Sequence, residues 1–258
     1  MSNVVTVRAY GSYVDKGPVR PLNEDVCLID AERLCFGVAD GYGGNGIGDV
    51  AARQALEKAA FFVKNGLGDS EVTLPFIYRS YLTDAGNLVF NAFLFANQVL
   101  VDENRKRHIN GRGGASALFA FASGNKLVLG SCGSCQAFLV RRGRVQAITK
   151  ARSYNSARGQ FQGSWNGKWA FPLMALGHAL DLEPEIFELQ MEKGDLIILA
   201  TDGIYPRLAE DDFAESFRTL RTAKSLDLGL SEQNRRLAEI ATQKGGADNQ
   251  ALISLVCG

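Results

Sequence analysis

The sequence is poor in several residue types on which common chemistries depend. Only two histidines, His108 and His178, stand in 258 residues. That is too few for a histidine-rich zinc site, and neither forms a credible nucleophile pair with a third orienting partner. Cysteine is scarce and odd in number: Cys27, Cys35, Cys132, Cys135 and Cys257. A disulfide-framed miniprotein is excluded. The N-terminal Met-Ser-Asn-Val-Val-Thr also lacks the charged-then-apolar pattern of a signal peptide, so the expected compartment is a reducing cytoplasm. Cys132-Gly-Ser-Cys135 spells C-x-x-C, yet no second pair accompanies it and it interrupts two strand-like runs; a redox or zinc role is not expected. Net charge is missing as well: 28 basic and 28 acidic residues sum to zero, leaving no global field for nucleic acid or an anionic membrane. The one short basic run, Arg105-Lys106-Arg107, follows a helical pattern, where cations complement the helix dipole. No apolar stretch approaches the ~20 residues a membrane span needs.

What remains is a chain with 46% hydrophobic residues, long enough for a sizeable core, with no linker, internal repeat or low-complexity tract. A single domain over residues 1–258 is expected. Runs near 4–10, 26–30 and 34–39 read as strands of a meander, and 49–64 and 84–107 carry a helical period. Strand patterns return at 115–122, 126–130, 136–141 and 144–148, joined by hairpin turn sequences. Residues 151–180 form a long aperiodic stretch, followed by strands near 186–190 and 195–201, helices near 210–220 and 232–243, and a last strand near 251–256. Strands and helices in runs, without strict alternation, predict an α+β fold in which antiparallel sheets are covered by helices.

The informative residues are acids set at strand ends beside glycine or asparagine. They are Asn23-Glu24-Asp25, Ala39-Asp40-Gly41, Thr201-Asp202-Gly203 and Ala247-Asp248-Asn249. Any one of them is most simply a turn. Four in a chain with two histidines suggest hard divalent cations, because Mg²⁺ and Mn²⁺ take oxygen ligands and keep several waters.

These residues also carry a resemblance. Arg20-Pro-Leu-Asn-Glu24-Asp25, Val38-Ala-Asp40-Gly41-Tyr42-Gly-Gly, Gly113-Gly-Ala-Ser-Ala, Leu196-Ile-Ile-Leu-Ala-Thr-Asp202-Gly203 and Ala247-Asp248-Asn249 are similar, in order and spacing, to the successive motifs of the metal-dependent serine/threonine protein phosphatases of type 2C. The resemblance implies two antiparallel β-sheets in a central sandwich flanked by helices on both sides, with metals at one edge. It implies two Mn²⁺ or Mg²⁺ ions, Asp40 bridging them, Glu24, Asp202 and Asp248 completing one shell, and the Gly41 carbonyl joining the other. Asp25 and Asn249 would stand behind the ligands, and Arg20 would grip the substrate phosphate. Together the metals would activate water for in-line attack on a phosphoserine or phosphothreonine. A phosphorylated protein would be the substrate, opposite a serine/threonine kinase, with the phosphatase a monomer.

The motifs also depart from the family. A tyrosine, Tyr42, stands where a histidine is proposed as general acid; it could donate a proton or merely pack and orient water. Ser134 and Pro206 replace two acids that help hold a third metal, and Ala151-Arg152 replaces Asp-His. An active phosphatase is therefore expected, and the alternative is a phosphatase-fold binding module that regulates a kinase or phosphoprotein. In the long stretch, Trp165 and Trp169, with Tyr154 and Phe161, are candidates for a substrate-recognition surface.

Overall fold

The computed structural model describes residues 4–43, 46–67, 77–152, 172–220 and 226–258. Trp165 and Trp169, with Tyr154 and Phe161, lie outside the described residues. Among the described residues, ten strands form two five-stranded antiparallel sheets. One contains β2 (Asp25–Asp30), β3 (Cys35–Gly43), β4 (Gly113–Ser123), β5 (Lys126–Cys132) and β8 (Glu185–Gln190), in that spatial order. The other runs β1 (Val7–Asp15), β10 (Gln250–Cys257), β9 (Leu196–Ala200), β6 (Gln136–Arg141), β7 (Arg144–Ala147). Helices α1 (Gly48–Gly66) and α2 (Asp84–Arg105) cover the first sheet, while α3 (Glu210–Leu220) and α4 (Leu226–Gln243) cover the second.

This order of layers makes three apolar seams, and the strand period of two sorts side chains between them. Along β9, Ile197 and Leu199 enter the seam between the sheets, where they meet Phe36, Leu118 and Leu129. Leu196 and Ile198 of the same strand turn to the helices and meet Leu230 and Leu237 of α4. β4 and β9 are covered on both faces, which explains why β9 is apolar throughout and the buried run of β4 is apolar apart from Ser116, instead of alternating. On the other flank α1 presents Ala51, Ala52, Ala55 and Ala59, small residues that let the helix lie close to the sheet beside Phe93 and Phe119. Thr83 begins α2 by accepting a hydrogen bond from the Gly86 amide at 3.1 Å.

The sandwich agrees with the expected architecture, but the strand partners differ from a simple meander. β1 does not pair with β2; it pairs with β10, Tyr10 opposite Leu255. Likewise the 113–148 strands are not one sheet, since β4 and β5 belong to the first sheet and β6 and β7 to the second. Hairpin signals report short-range turns. They carry no information on which face a strand's neighbours bury, so a crossing between sheets reads like any other loop. Cys132-Gly133-Ser134-Cys135 is such a crossing. Gly133 takes φ +95°, and a Cβ there would meet Ser116 Oγ at 2.4 Å, so the close turn requires glycine.

Candidate metal centre

One edge of the sandwich collects two of the crossings between sheets, while the β8–β9 crossing at residues 191–195 lies at the opposite edge. Residues 16–24 carry the chain from β1 to β2, residues 133–135 carry it from β5 to β6, Asp202 follows β9, and Asp248 and Asn249 precede β10. The antiparallel register of β2 and β3 places Asp25 directly opposite Asp40. Sequence neighbours contribute almost nothing to this arrangement. It exists because two sheets end at the same level.

Asn249 fixes the edge. Its Oδ1 accepts from the Glu24 amide at 2.9 Å, and its Nδ2 donates to the Lys16 and Leu22 carbonyls at 2.7 and 2.8 Å. One buried amide thereby ties the β1–β2 crossing to the start of β10, presenting Glu24. Glu24 Oε1 in turn accepts from the Gly48 amide at 3.0 Å, at the N-terminus of α1, where the helix dipole favours negative charge. The Gly41 amide donates to the Glu24 carbonyl at 3.1 Å. A Cβ on Gly41 would lie 2.0 Å from the Gly48 carbonyl oxygen; only glycine lets α1 and β3 approach so closely.

Arg20 reaches across to Asp248 in a two-pronged ion pair, Nε to Oδ1 at 2.6 Å and Nη2 to Oδ2 at 2.7 Å. That geometry suits a guanidinium and not an ammonium. Ser134 Oγ lies 3.1 Å from Ser116 Oγ and 3.4 Å from Asp40 Oδ2, and the Tyr205 hydroxyl donates to the Ser134 carbonyl at 2.8 Å. Pro206 sits in the short 3₁₀ turn Tyr205–Arg207. Where the two expected acids are missing, hydroxyl groups buttress Asp40. Thr201 Oγ1 donates to Asp25 Oδ2 at 2.7 Å. Thr201 and Ser116 stand within the motifs Thr201-Asp202-Gly203 and Gly113-Gly-Ala-Ser-Ala, but the sequence assigns their hydroxyls no role, and Tyr205 carries no local signal.

Burial first, and then one another's charge, raises the pKa of Glu24, Asp25, Asp40 and Asp202. Burial, then the charges of Asp202, Asp25 and Asp248, hold Asp40 well above the usual carboxylate range. Asp25 is likewise raised, by burial first. Asp202 is pushed up to about 6 by burial and by Asp248, and Glu24 is raised chiefly by burial. Carboxylates crowded in this way are unfavourable unless a cation is among them. Among the described residues, no three His, Cys, Asp or Glu side chains already close into a ligand cage. Arg20 is the cation on Asp248, and an oxygen-only set with mutually raised acids fits hard divalent ions in place of that guanidinium.

Tyr42 lies two residues beyond Asp40 on β3 and stacks over the strand beside it. A Cβ on Gly114 would meet its hydroxyl at 2.5 Å. Burial, with Cys132 and Asp40, pushes the phenol up to about 12. It remains protonated and is a weaker acid than an ordinary tyrosine. His178 is exposed, Met191 fills the seam between the sheets and Met174 packs at the rim of the α1/α2 seam.

A family model described as protein phosphatase 2C matches residues 22–239. The serine/threonine protein phosphatase PstP of Mycobacterium tuberculosis is 26% identical over 260 residues, covering 98% of this chain and 46% of the relative. The chain thus spans about half the length of that curated relative. A crystal structure of the M. tuberculosis phosphatase PstP/Ppp superimposes with a TM-score of 0.76 at 22% identity, covering 98% of both chains. A PstP catalytic domain in complex with two manganese ions gives 0.74 at 22% identity with the same coverage. The S. agalactiae serine/threonine phosphatase gives 0.76 at 19% identity, covering 98% of this chain and 99% of the other.

Proposed function

Because this chain belongs to the protein phosphatase 2C family, we propose that it is a metal-dependent phosphatase hydrolysing phosphoserine and phosphothreonine in proteins. The observation that carries the reading is the convergence of Glu24, Asp40, Asp202 and Asp248, from four distant segments, around an arginine that already grips one of them. Glu24, Asp40, Asp202, Asp248 and the Gly41 carbonyl would hold two Mn²⁺ or Mg²⁺ ions, as the donor chemistry and the manganese-bound relative support. When bound, the ions supply Lewis-acid activation of water and neutralise charge on the phosphoryl group.

The chain's own residues do the rest. Arg20, whose guanidinium now forks onto Asp248, would offer two parallel N–H donors to the phosphate if Asp248 served as a metal ligand. Asn249 and the Gly48 amide keep Glu24 in place. Ser134 and Ser116 support Asp40 from below. Tyr42 keeps its proton through neutral pH, so it orients by donating a hydrogen bond and is a poor source of a proton for the leaving alkoxide. The protein acts as a monomer on phosphoproteins made by a serine/threonine kinase. Five thiols, four of them buried, support a reducing, cytoplasmic setting.

The test is hydrolysis of p-nitrophenyl phosphate and of a phosphothreonine peptide, with Mn²⁺ and with chelator, by wild type and Asp40→Asn. Mn²⁺-dependent turnover that falls at least a hundredfold in the variant is expected. Calorimetric Mn²⁺ binding without turnover of any substrate would overturn the reading and leave a phosphatase-fold binding module.

A further inference from the structure

Arg105, the first residue of the basic run at the end of α2, has no part in the metal centre, yet the fold brings it to the site's border. A groove of about 560 Å³ opens beside Tyr42, lined by Arg105, Ile109, Arg112, His178 and Leu180, a size ordinary for a ligand cleft. Tyr42 is its link to the metal centre, since Asp40 lies on the same face of β3 two residues away. Two regions distant in sequence build it: the C-terminal turn of α2 with the adjoining 3₁₀ turn Ile109–Gly111 and Arg112, and residues 177–180.

Two features of the walls define an occupant. Ile109 and Leu180 are 69% and 47% exposed, an apolar strip that water covers poorly. Around it stand Arg105, Arg112 and His178, and among the described residues that line the groove none is acidic. Arg105 shares its charge with Asp102, one turn earlier on α2, at 3.2 Å, an exposed pair that a competing carboxylate can replace at small cost. Arg112 is anchored by Nε, which donates to the Arg107 carbonyl at 3.4 Å. The whole chain is neutral, so this concentration of cations is local.

We propose that the groove seats an acidic segment with an aliphatic side chain, the stretch of a phosphoprotein that flanks the phosphorylated residue, so that the enzyme selects phosphosites in acidic context. Guanidinium forks are suited to carboxylates, the aliphatic side chain covers Ile109 and Leu180, and Tyr42 separates the docked segment from the metals. The proposal rests on the phosphatase reading above, and its experiment separates the two.

The variant is Arg105→Glu with Arg112→Glu, both exposed and outside the metal-binding set. Turnover of p-nitrophenyl phosphate should stay within twofold of wild type. For a phosphothreonine peptide with Asp and Glu flanks, wild type should show kcat/KM about tenfold above that for the same peptide with Ser and Gln flanks. The variant should lose that preference through KM. The preference should also shrink in 0.5 M NaCl. Equal use of both peptides by wild type, or parallel loss on p-nitrophenyl phosphate and the peptides, overturns the proposal. If wild type turns over no substrate, the phosphatase reading has failed, and the groove is read by fluorescence anisotropy of the labelled, unphosphorylated acidic peptide. Binding weakened about tenfold in the variant then supports an acidic-segment site, and equal binding overturns it.

Discussion

Replacing Asp202 by asparagine should make the metal-free protein more stable while crippling it with metal. An ordinary aspartate titrates near 3.8, and Asp202 is pushed up to about 6 by burial and the neighbouring Asp248. In the unfolded chain the group returns to the ordinary value. Between these values the folded state binds the extra proton, so stability contributed by this group falls as pH rises from about 4 to about 6 and stays low above. The difference corresponds to at most about 3 kcal/mol, and to about 1–2 kcal/mol once solvent around a half-buried carboxylate screens its neighbours. Asparagine keeps the shape and removes the charge. In EDTA at pH 7.5, Asp202→Asn should melt roughly 2–8 °C above wild type, and the gap should close towards pH 4. With 1 mM Mn²⁺ the order should reverse, because wild type gains binding free energy that the variant cannot. Differential scanning calorimetry at both pH values, with and without Mn²⁺, gives the answer. A variant less stable than wild type in EDTA at pH 7.5, or a gain that persists unchanged at pH 4, would refute the electrostatic argument.

Three further outcomes follow from the same geometry. Arg20→Lys keeps the charge and loses the fork on Asp248; KM for p-nitrophenyl phosphate should rise roughly tenfold while calorimetric Mn²⁺ affinity changes little. Ser134→Asp places another carboxylate against Asp40; it should lower metal-free stability by about 1–3 kcal/mol in urea unfolding and raise the number or affinity of bound Mn²⁺ in calorimetry. An unchanged Mn²⁺ titration would show that position 134 does not serve the metals. Gly41→Ala drives a methyl group to 2.0 Å from the Gly48 carbonyl; urea titration should show a loss of about 1–3 kcal/mol, with weaker Mn²⁺ binding as α1 and Glu24 shift.

Much of this was readable in one dimension because the signals were local. Helix α3 is found over Glu210–Leu220, where its pattern placed it, while α4 begins at Leu226 instead of near residue 232. The early turn carries Leu226 and Leu230 into the seam against the second sheet, and tertiary burial extended a helix whose own period starts later. The largely apolar β4 and the all-apolar β9 were legible as strands, but their double coverage was not. Asp40, Asp202 and Asp248 announced themselves by standing at strand ends next to glycine or asparagine. Tyr205 did not, because a tyrosine before a proline looks like packing until the crossing at Ser134 is folded against it, and Ser116, although inside a recognised motif, showed no role for its hydroxyl until Ser134 lay beside it.

By itself the sequence determined the strand and helix inventory, an α+β class with helix-covered antiparallel sheets and the identity of the strand-end acids, since periodicity and turn chemistry act within a few residues; the two-sheet sandwich was implied only by the resemblance of the motifs to a known family. Tertiary structure decided the partners. It paired β1 with β10, crossed the chain between sheets at residues 16–24 and 133–135, set Arg20 on Asp248, and brought Arg105, Arg112 and His178 to the border of Tyr42. The physical reason is that charge and hydrogen bonding act through a few ångströms of space, whereas these groups lie up to 228 residues apart along the chain. Only the packing of two sheets to a common edge converts that separation into contact.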